Sequence, residues 1–451
     1  MPSTADIVIC GAGITGIASA YYLNKAGFKN VILVDERAPL TLTSNHSTEC
    51  YRNWWPDASM LGLMNRSIDL MDELSTDSHN MFHLNRRGYL FVTAREDRVQ
   101  AIIERSRRIS SLGAGPLRIH RSNNDPYNPL VVDKLHDAPD GADLLLGTDS
   151  ILKYYPYLNP KVVAALHVRR AGWLSAQQLG MLLYESALDH GLIFHTARVT
   201  SIDLEKGRIQ AVGLDNGELI STPIFLNAGG PYLKTIGSYL GEDLPVVTEL
   251  HLKAAVQDSL GVVGRMAPLL IWDDPQYLPW DEDDIEKLQG SDDARWLTEQ
   301  FPSGIHTRPE GPGESQTILM LWEYQTKRVD PVWPPPLDDL YPEIAVRGLA
   351  AMLPGMKQYF SRLPKPHLDG GYYTRTLENL PLIGRTKVEG SFVIGAVSGY
   401  GIMSACAAGE LITSHITGGP LPKYAPAFLL DRYDDPHYVE TLDEQADGGQ
   451  L

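Results

Sequence analysis

The stretch Gly11-Ala12-Gly13-Ile14-Thr15-Gly16 restricts this chain more than any other feature. It follows an apolar run, Ile7-Val8-Ile9-Cys10, that reads as a buried parallel strand. It opens a helical pattern over residues 16–26, carried by Ile17, Ala20, Tyr21 and Leu23, which stops at Gly27. Val31-Ile32-Leu33-Val34 is a second buried strand, so a βαβ unit is predicted. Gly11 permits the tight turn, Gly13 admits a pyrophosphate close to backbone, and Gly16 lets helix and strand pack closely. The helix N-terminus directs N–H groups at an anion. Asp35 lies 19 residues after Gly16, at the end of the second strand, where an acid accepts from ribose hydroxyls. Glu36 and Arg37 follow it as further candidates on the cofactor side. A bound dinucleotide is the expectation.

Composition narrows the class. The 451 residues suit about two or three domains, and 43% hydrophobic with 21% charged residues is ordinary for a globular chain. The net charge of −17 disfavours nucleic acid and anionic membrane surfaces. Three cysteines (Cys10, Cys50, Cys406) make no disulfide framework and fit a reduced compartment. No apolar run is long enough to span a membrane. Met1-Pro2-Ser3-Thr4-Ala5-Asp6 has no basic leader, and Gly448-Gly449-Gln450-Leu451 is no peroxisomal address, so a cytoplasmic location is expected. HExxH, Cys/His metal spacings, a Gly-x-Ser-x-Gly elbow and a Walker A sequence are all missing, so no metal site is expected.

Downstream, helices are predicted over 60–74, 96–112, Gln177–His190, 341–353 and 402–417, and a strand over Gly88–Thr93. Residues 115–148 read as loop. His195–Leu204, Arg208–Leu214 and Glu218–Leu226 read as an antiparallel set, with Asp215-Asn216-Gly217 as a hairpin turn. Residues 245–272 are strand-rich, and Ile318–Glu323 and Phe392–Ile394 are strands. The nine acidic residues between Asp273 and Asp293 read as a solvated loop. Pro334-Pro335-Pro336 breaks the chain, and the tail after Tyr438 is expected to fray.

The βαβ unit alone does not separate FAD from NAD. Two more strands end on glycines: Asn227-Ala228-Gly229-Gly230-Pro231 and Gly395-Ala396-Val397-Ser398-Gly399-Tyr400-Gly401-Ile402. Several close backbone approaches from distant segments favour the longer ligand, FAD. With Leu42-Thr43-Ser44-Asn45-His46, Gly172-Trp173-Leu174, and Gly371-Tyr372-Tyr373-Thr374-Arg375-Thr376 leading to Leu380-Pro381-Leu382-Ile383-Gly384, these motifs make the whole chain resemble a known group. It is similar to the FAD-dependent amine oxidoreductases of the D-amino-acid-oxidase superfamily, nearest the sarcosine and dimethylglycine branch. The folate-binding region of the larger dehydrogenases has no counterpart in these residues.

The resemblance implies roles. Thr43, Ser44, Asn45, His46 and Ser47 would run along the pyrophosphate and ribityl, and Val199 would meet the adenine. Ala228 and Gly229 would pass the pyrophosphate. Ser398, Gly399, Tyr400, Gly401, Ile402 and Met403 would approach the pyrimidine edge of the flavin, with a helix N-terminus behind them. His46 matches the spacing of a histidine that bonds covalently to flavin in the branch, without its glycine or tryptophan; covalent link, non-covalent contact and plain loop histidine all stay open. Gly371 stands where another subgroup carries a flavin-linked cysteine. Met403 replaces a lysine that helps hold a substrate carboxylate. Gln257–Gly261 replaces a region bearing an oxygen-activating lysine, which leaves oxygen or an electron carrier as acceptor.

Catalytic candidates are Tyr373, His251, Arg52 and Arg308. Arginine suits bidentate carboxylate binding, and His306 and Arg308 share a strand face. Trp54, Trp55, Trp272 and Trp322 are candidate walls for an apolar pocket or a cage for a methylated amine. The expected fold is α/β (α+β overall): a GxGxxG-type FAD-binding domain from 1–86, 153–235 and 366–451, and a mainly antiparallel-sheet substrate domain from 87–152 and 236–365. The expected reaction is oxidation of a C–N bond in a small secondary or tertiary amine or an N-methylated amino acid. Alternatives are a D-amino-acid or hydroxy-acid dehydrogenase, and a non-catalytic flavin-bound assembly protein.

Overall fold

Ile7–Cys10 and Val31–Asp35 are apolar on both faces and become the centre of a sheet covered on both sides. The computed structural model describes residues 3–122, 125–129, 135–324 and 327–445; Met1-Pro2 and the Gly448–Leu451 ending weighed above lie outside them. Strand order in this six-stranded sheet is Leu192–Thr196, Val31–Asp35, Ile7–Cys10, Phe225–Asn227, Ser391–Gly395 and Leu382–Arg385. Every neighbouring pair is parallel except the last. Helices Ile14–Lys25 and Gly401–Thr417 pack against each other; Gly409 comes so close that an added Cβ would lie 2.8 Å from the Ala18 carbonyl carbon.

A nine-stranded, largely antiparallel sheet forms the second layer. Its order is His367–Arg375, Val247–Gln257, Thr317–Leu321, His306–Pro309, Leu269–Trp272, Tyr89–Thr93, Ala164–Val168, Ala142–Leu146 and Leu117–His120. Two of its strands, Ala164–Val168 and His367–Arg375, come from segments grouped above with the FAD side. The buried helix Tyr341–Met352 covers this sheet, with Trp272 and Trp322 in the core beneath it. The fold is α/β, and α+β taken whole.

Four local expectations are corrected. His195–Leu204 is not one strand: Leu192–Thr196 joins the parallel sheet, and Val199–Glu205 starts a separate four-stranded sheet. The break is held by Ala197 N–H donating to Asp35 O and Arg198 N–H donating to the Asp215 carboxylate. Residues 115–148 contain two paired strands, Leu117–His120 and Ala142–Leu146. Asp143 hid the second by interrupting its apolar run; it is neutralised by Arg118, His120 and Arg169. The acidic stretch holds a helix, Glu282–Gln289, because Asp281 caps it and its first-turn acids favour a helix N-terminus. The helix Pro436–Gln445 likewise replaces the start of the expected frayed tail.

The hairpin turn forms as expected. Gly217 takes φ +83° and donates to Leu214 O, while Leu214 N–H donates to Glu218 O.

Gly16 is the tightest point: a Cβ there would sit 1.9 Å from Gly11 O. Gly16→Ala is therefore expected to lower the unfolding free energy by at least about 1–3 kcal/mol, measured by urea denaturation, with bound yellow colour lost in parallel.

Candidate active site

One cavity of about 630 Å³ runs from the parallel sheet to the nine-stranded sheet. Gly11 to Thr15, Asp35, Glu36, Arg37, Thr43, Ser44, His46, Ser47, Val199, Ala228, Gly229, Ser398, Gly399, Gly401 and Ile402 line it, together with His251 and Tyr373. Residues more than 380 positions apart in the chain thus share one wall. The remaining cofactor candidates stand behind it. Gly16 packs on Gly11. Asn45 accepts from Gln177 Nε2 at 2.6 Å. Tyr400 is buried and donates to Asn379 O at 2.8 Å, and Met403 sits in the core.

Local backbone explains the cradle. Gly11 has φ +110°, and a Cβ would meet Ala228 O at 2.4 Å, so the turn and the Ala228–Gly229 strand end touch through bare backbone. Ala12 N–H donates to Asp35 Oδ2 at 2.8 Å and Arg37 N–H to Oδ1 at 2.9 Å, which fixes the carboxylate at the strand end. Burial raises the Asp35 pKa. Ser44 Oγ accepts from Ile14 N–H at 3.0 Å and ties the Thr43–Ser47 segment to the first helix. Both helices that point at the cavity, Ile14–Lys25 and Gly401–Thr417, lack an acid in the first turn. The N-cap residues, Gly13 and Tyr400, make no side-chain cap bond, and two such helix starts suit an anionic, pyrophosphate-containing ligand. The volume, the glycine cradle and the donors fit FAD.

At the sheet end, alternation along Val247–Gln257 puts Glu249, His251 and Lys253 on one face. His251 pairs across to Gly371, and its ring stacks on the diagonal neighbour Tyr373 at 3.8 Å and 18°. Glu249 holds Arg375 at 2.7 Å and lies 3.6 Å from His251 Nε2; Glu323 lies 3.5 Å from Nδ1. Burial depresses the His251 pKa, but Glu323 and then Glu249 outweigh it and bring it up to about 9. Burial opposes ionisation of Glu249, yet His251 and Arg375 bring it down to about 2. Lys253 Nζ donates to Ser47 O at 2.8 Å and lies 3.5 Å from Asp369, whose other oxygen pairs with His46 Nδ1. Trp333 packs on the His46 ring at 5.1 Å.

The arginine candidates are not in this cavity. Arg308 has no exposed side-chain surface. It is held by Glu310 at 2.5 Å, Glu49 at 3.4 Å and Thr48 O at 2.9 Å, so its charge is already used. Arg52 lines a second cavity of about 190 Å³ with Trp54, Trp55, Arg105 and Asn379, and lies 4.8 Å over Trp55. Glu249, Lys253, Glu323 and Asp369 went unnoticed in the sequence. Strand alternation from His251 was a sufficient signal for Glu249 and Lys253; nothing local marked Glu323 or Asp369.

The chain belongs to the FAD dependent oxidoreductase family DAO, whose model matches residues 6–415. It is an FAD-dependent oxidoreductase. The mitochondrial dimethylglycine dehydrogenase of Mus musculus is 23% identical over 434 residues, covering 93% of this chain and 43% of that protein. The mitochondrial sarcosine dehydrogenase of Homo sapiens is 23% identical over 268 residues, 58% of this chain and 26% of that one. The chain thus spans less than half the length of these relatives. Among solved structures, L-proline dehydrogenase from P. horikoshii matches with TM-score 0.72 and 19% identity over 98% of this chain and 99% of that one. Glycine oxidase from Geobacillus kaustophilus matches with TM-score 0.72 and 14% identity over 95% and 98%. Among the described residues, no helix is long and apolar enough to cross a membrane.

Two measurements probe this geometry. Arg308→Met leaves two half-buried carboxylates, Glu49 and Glu310, without their cation, and is expected to cost about 1–3 kcal/mol of unfolding free energy. Because the folded pKa of His251 lies above the ordinary value of about 6.5, its contribution is complete below that value. Urea titrations should therefore show stability falling as pH rises through about 9, and less so in His251→Gln.

Proposed function

We propose that this chain oxidises a C–N bond of a small secondary or tertiary amine or N-methylated amino acid, the imine product then being hydrolysed by water; FAD, which Gly11–Thr15, Ala228–Gly229 and Ser398–Gly399 would hold, would supply the hydride acceptor, N5. The observation that carries the reading is the single cavity that runs from the glycine cradle to the stacked His251–Tyr373 pair. The names of the relatives, dimethylglycine and sarcosine dehydrogenases, support the substrate class.

The residues act by position. Tyr373 and His251 form a flat, buried wall at the sheet end, against which an amine is held with its C–H directed at the cradle. Alignment of this kind supplies much of the rate in a reaction that needs little proton chemistry. The wall excludes water, which favours the neutral amine whose nitrogen lone pair drives hydride loss. Neither Arg52 nor Arg308 lines this cavity, so neither is the carboxylate anchor in this reading. His46 is the flavin contact in this reading; it lies beside Gly371, the strand partner of His251. Acid precipitation separates its two bonding modes: colour in the pellet marks a histidyl–flavin bond, colour in the supernatant a non-covalent contact.

Anaerobic mixing with dimethylglycine, sarcosine, L-proline, glycine and a hydroxy acid tests the assignment. An N-methylated amino acid is expected to bleach the flavin band fastest. Bleaching by the hydroxy acid alone, or by none, would overturn the proposal. Tyr373→Ala is expected to slow that bleaching about 100-fold with flavin content retained, read by stopped-flow absorbance.

A further inference from the structure

His251 is clamped in a way that the reaction does not explain. A histidine offered as a proton acceptor needs a neutral ring with one nitrogen turned to the substrate. Here both nitrogens face carboxylates: Nδ1 lies 3.5 Å from Glu323, and Nε2, buried and without a hydrogen bond, lies 3.6 Å from Glu249. One ring face is closed by Tyr373. The ring is 9% exposed and Glu249 5%, so water screens this group weakly. Arg375 takes up the charge of Glu249 at 2.7 Å, which leaves Glu323, 29% exposed, as the counter-ion of the imidazole. Glu323 stands just past the strand Thr317–Leu321, whose last residue lines the cavity.

We infer that Glu323 is a positioning residue that, with Glu249, fixes His251 as an imidazolium in the cavity wall, so that His251 is a permanent cation and not the base that deprotonates the substrate. The groups that set this state come from every strand around the ring. Glu249 lies on its own strand, Tyr373 and Arg375 on the partner strand, and Glu323 beyond the next. His306 acts on Glu323, and Glu323 on Arg52, from further off. Burial lowers the pKa of His306 and keeps it from competing for the proton. The consequence rests on the amine-oxidation reading: the substrate must shed its ammonium proton to solvent and enter as the free base.

The test is an NMR titration of FAD-loaded protein labelled with ¹³C-histidine, the His251 resonance being the one lost in His251→Gln. The wild-type midpoint is expected near pH 9. Glu323→Gln should lower it by about one unit or more, and Glu323→Asp should restore most of the shift. A wild-type midpoint at or below about 6.5, or the same midpoint in Glu323→Gln, overturns the inference; if Glu323→Gln does not fold, the wild-type and Glu323→Asp midpoints still decide. A second arm measures flavin bleaching against pH with two amines of different basicity. The acid limb should move with the amine's own pKa, and a limb fixed at one pH overturns the inference. Failure of every amine to bleach the flavin counts against the proposed reaction alone, because the titration needs no turnover.

Discussion

The whole arrangement depends on one close approach of bare backbone. The first helix can meet the end of the parallel sheet only because Gly16 lies against Gly11 O and Gly11 against Ala228 O, at distances where no Cβ fits. That contact brings residues 11, 228 and 229 to one point and opens the cavity beside them. Everything further along the cavity is hung from it. Ser44 bonds the first turn of that helix, Lys253 bonds Ser47, and the nine-stranded sheet thereby lies across the cofactor cradle.

Charge is distributed along the cavity in matched pairs. Asp35 is held by backbone N–H groups, Asp369 by His46 and Lys253, and Glu249 and Glu323 by His251 and Arg375. Leaving any one of these buried ions alone would cost far more than each pair contributes, so the set stabilises a particular geometry more than it adds stability. The same logic takes Arg308 out of substrate binding. A guanidinium without exposed surface and with two carboxylates and a carbonyl is fully occupied. It braces the Thr48–Glu49 segment just below the cofactor loop.

The misreadings share a cause. Asp143 and the acidic residues after Asp281 looked solvated because polarity was read one residue at a time. In the structure, cations from other strands neutralise the first, and a helix start organises the second. Leu192–Thr196 and Val199–Glu205 looked continuous because both have strand composition. Their separation is decided by the partners each finds: the parallel edge at Val31–Asp35 for one, the hairpin through Lys206-Gly207 for the other.

Taken alone, the sequence determined the glycine-lined half of the cavity. A tight turn between a buried strand and a helix demands glycine at fixed spacing, and that demand is local, so Gly11 to Gly16 and Asp35 are legible as written. The glycine-ended strands at Ala228–Gly229 and Ser398–Gly401 are legible for the same reason. Tertiary structure alone decided the other half. Glu323 meets His251 across 72 positions and Asp369 meets His46 across 323. No local rule marks those carboxylates, because what makes them matter is the burial of a charge that a distant strand supplies.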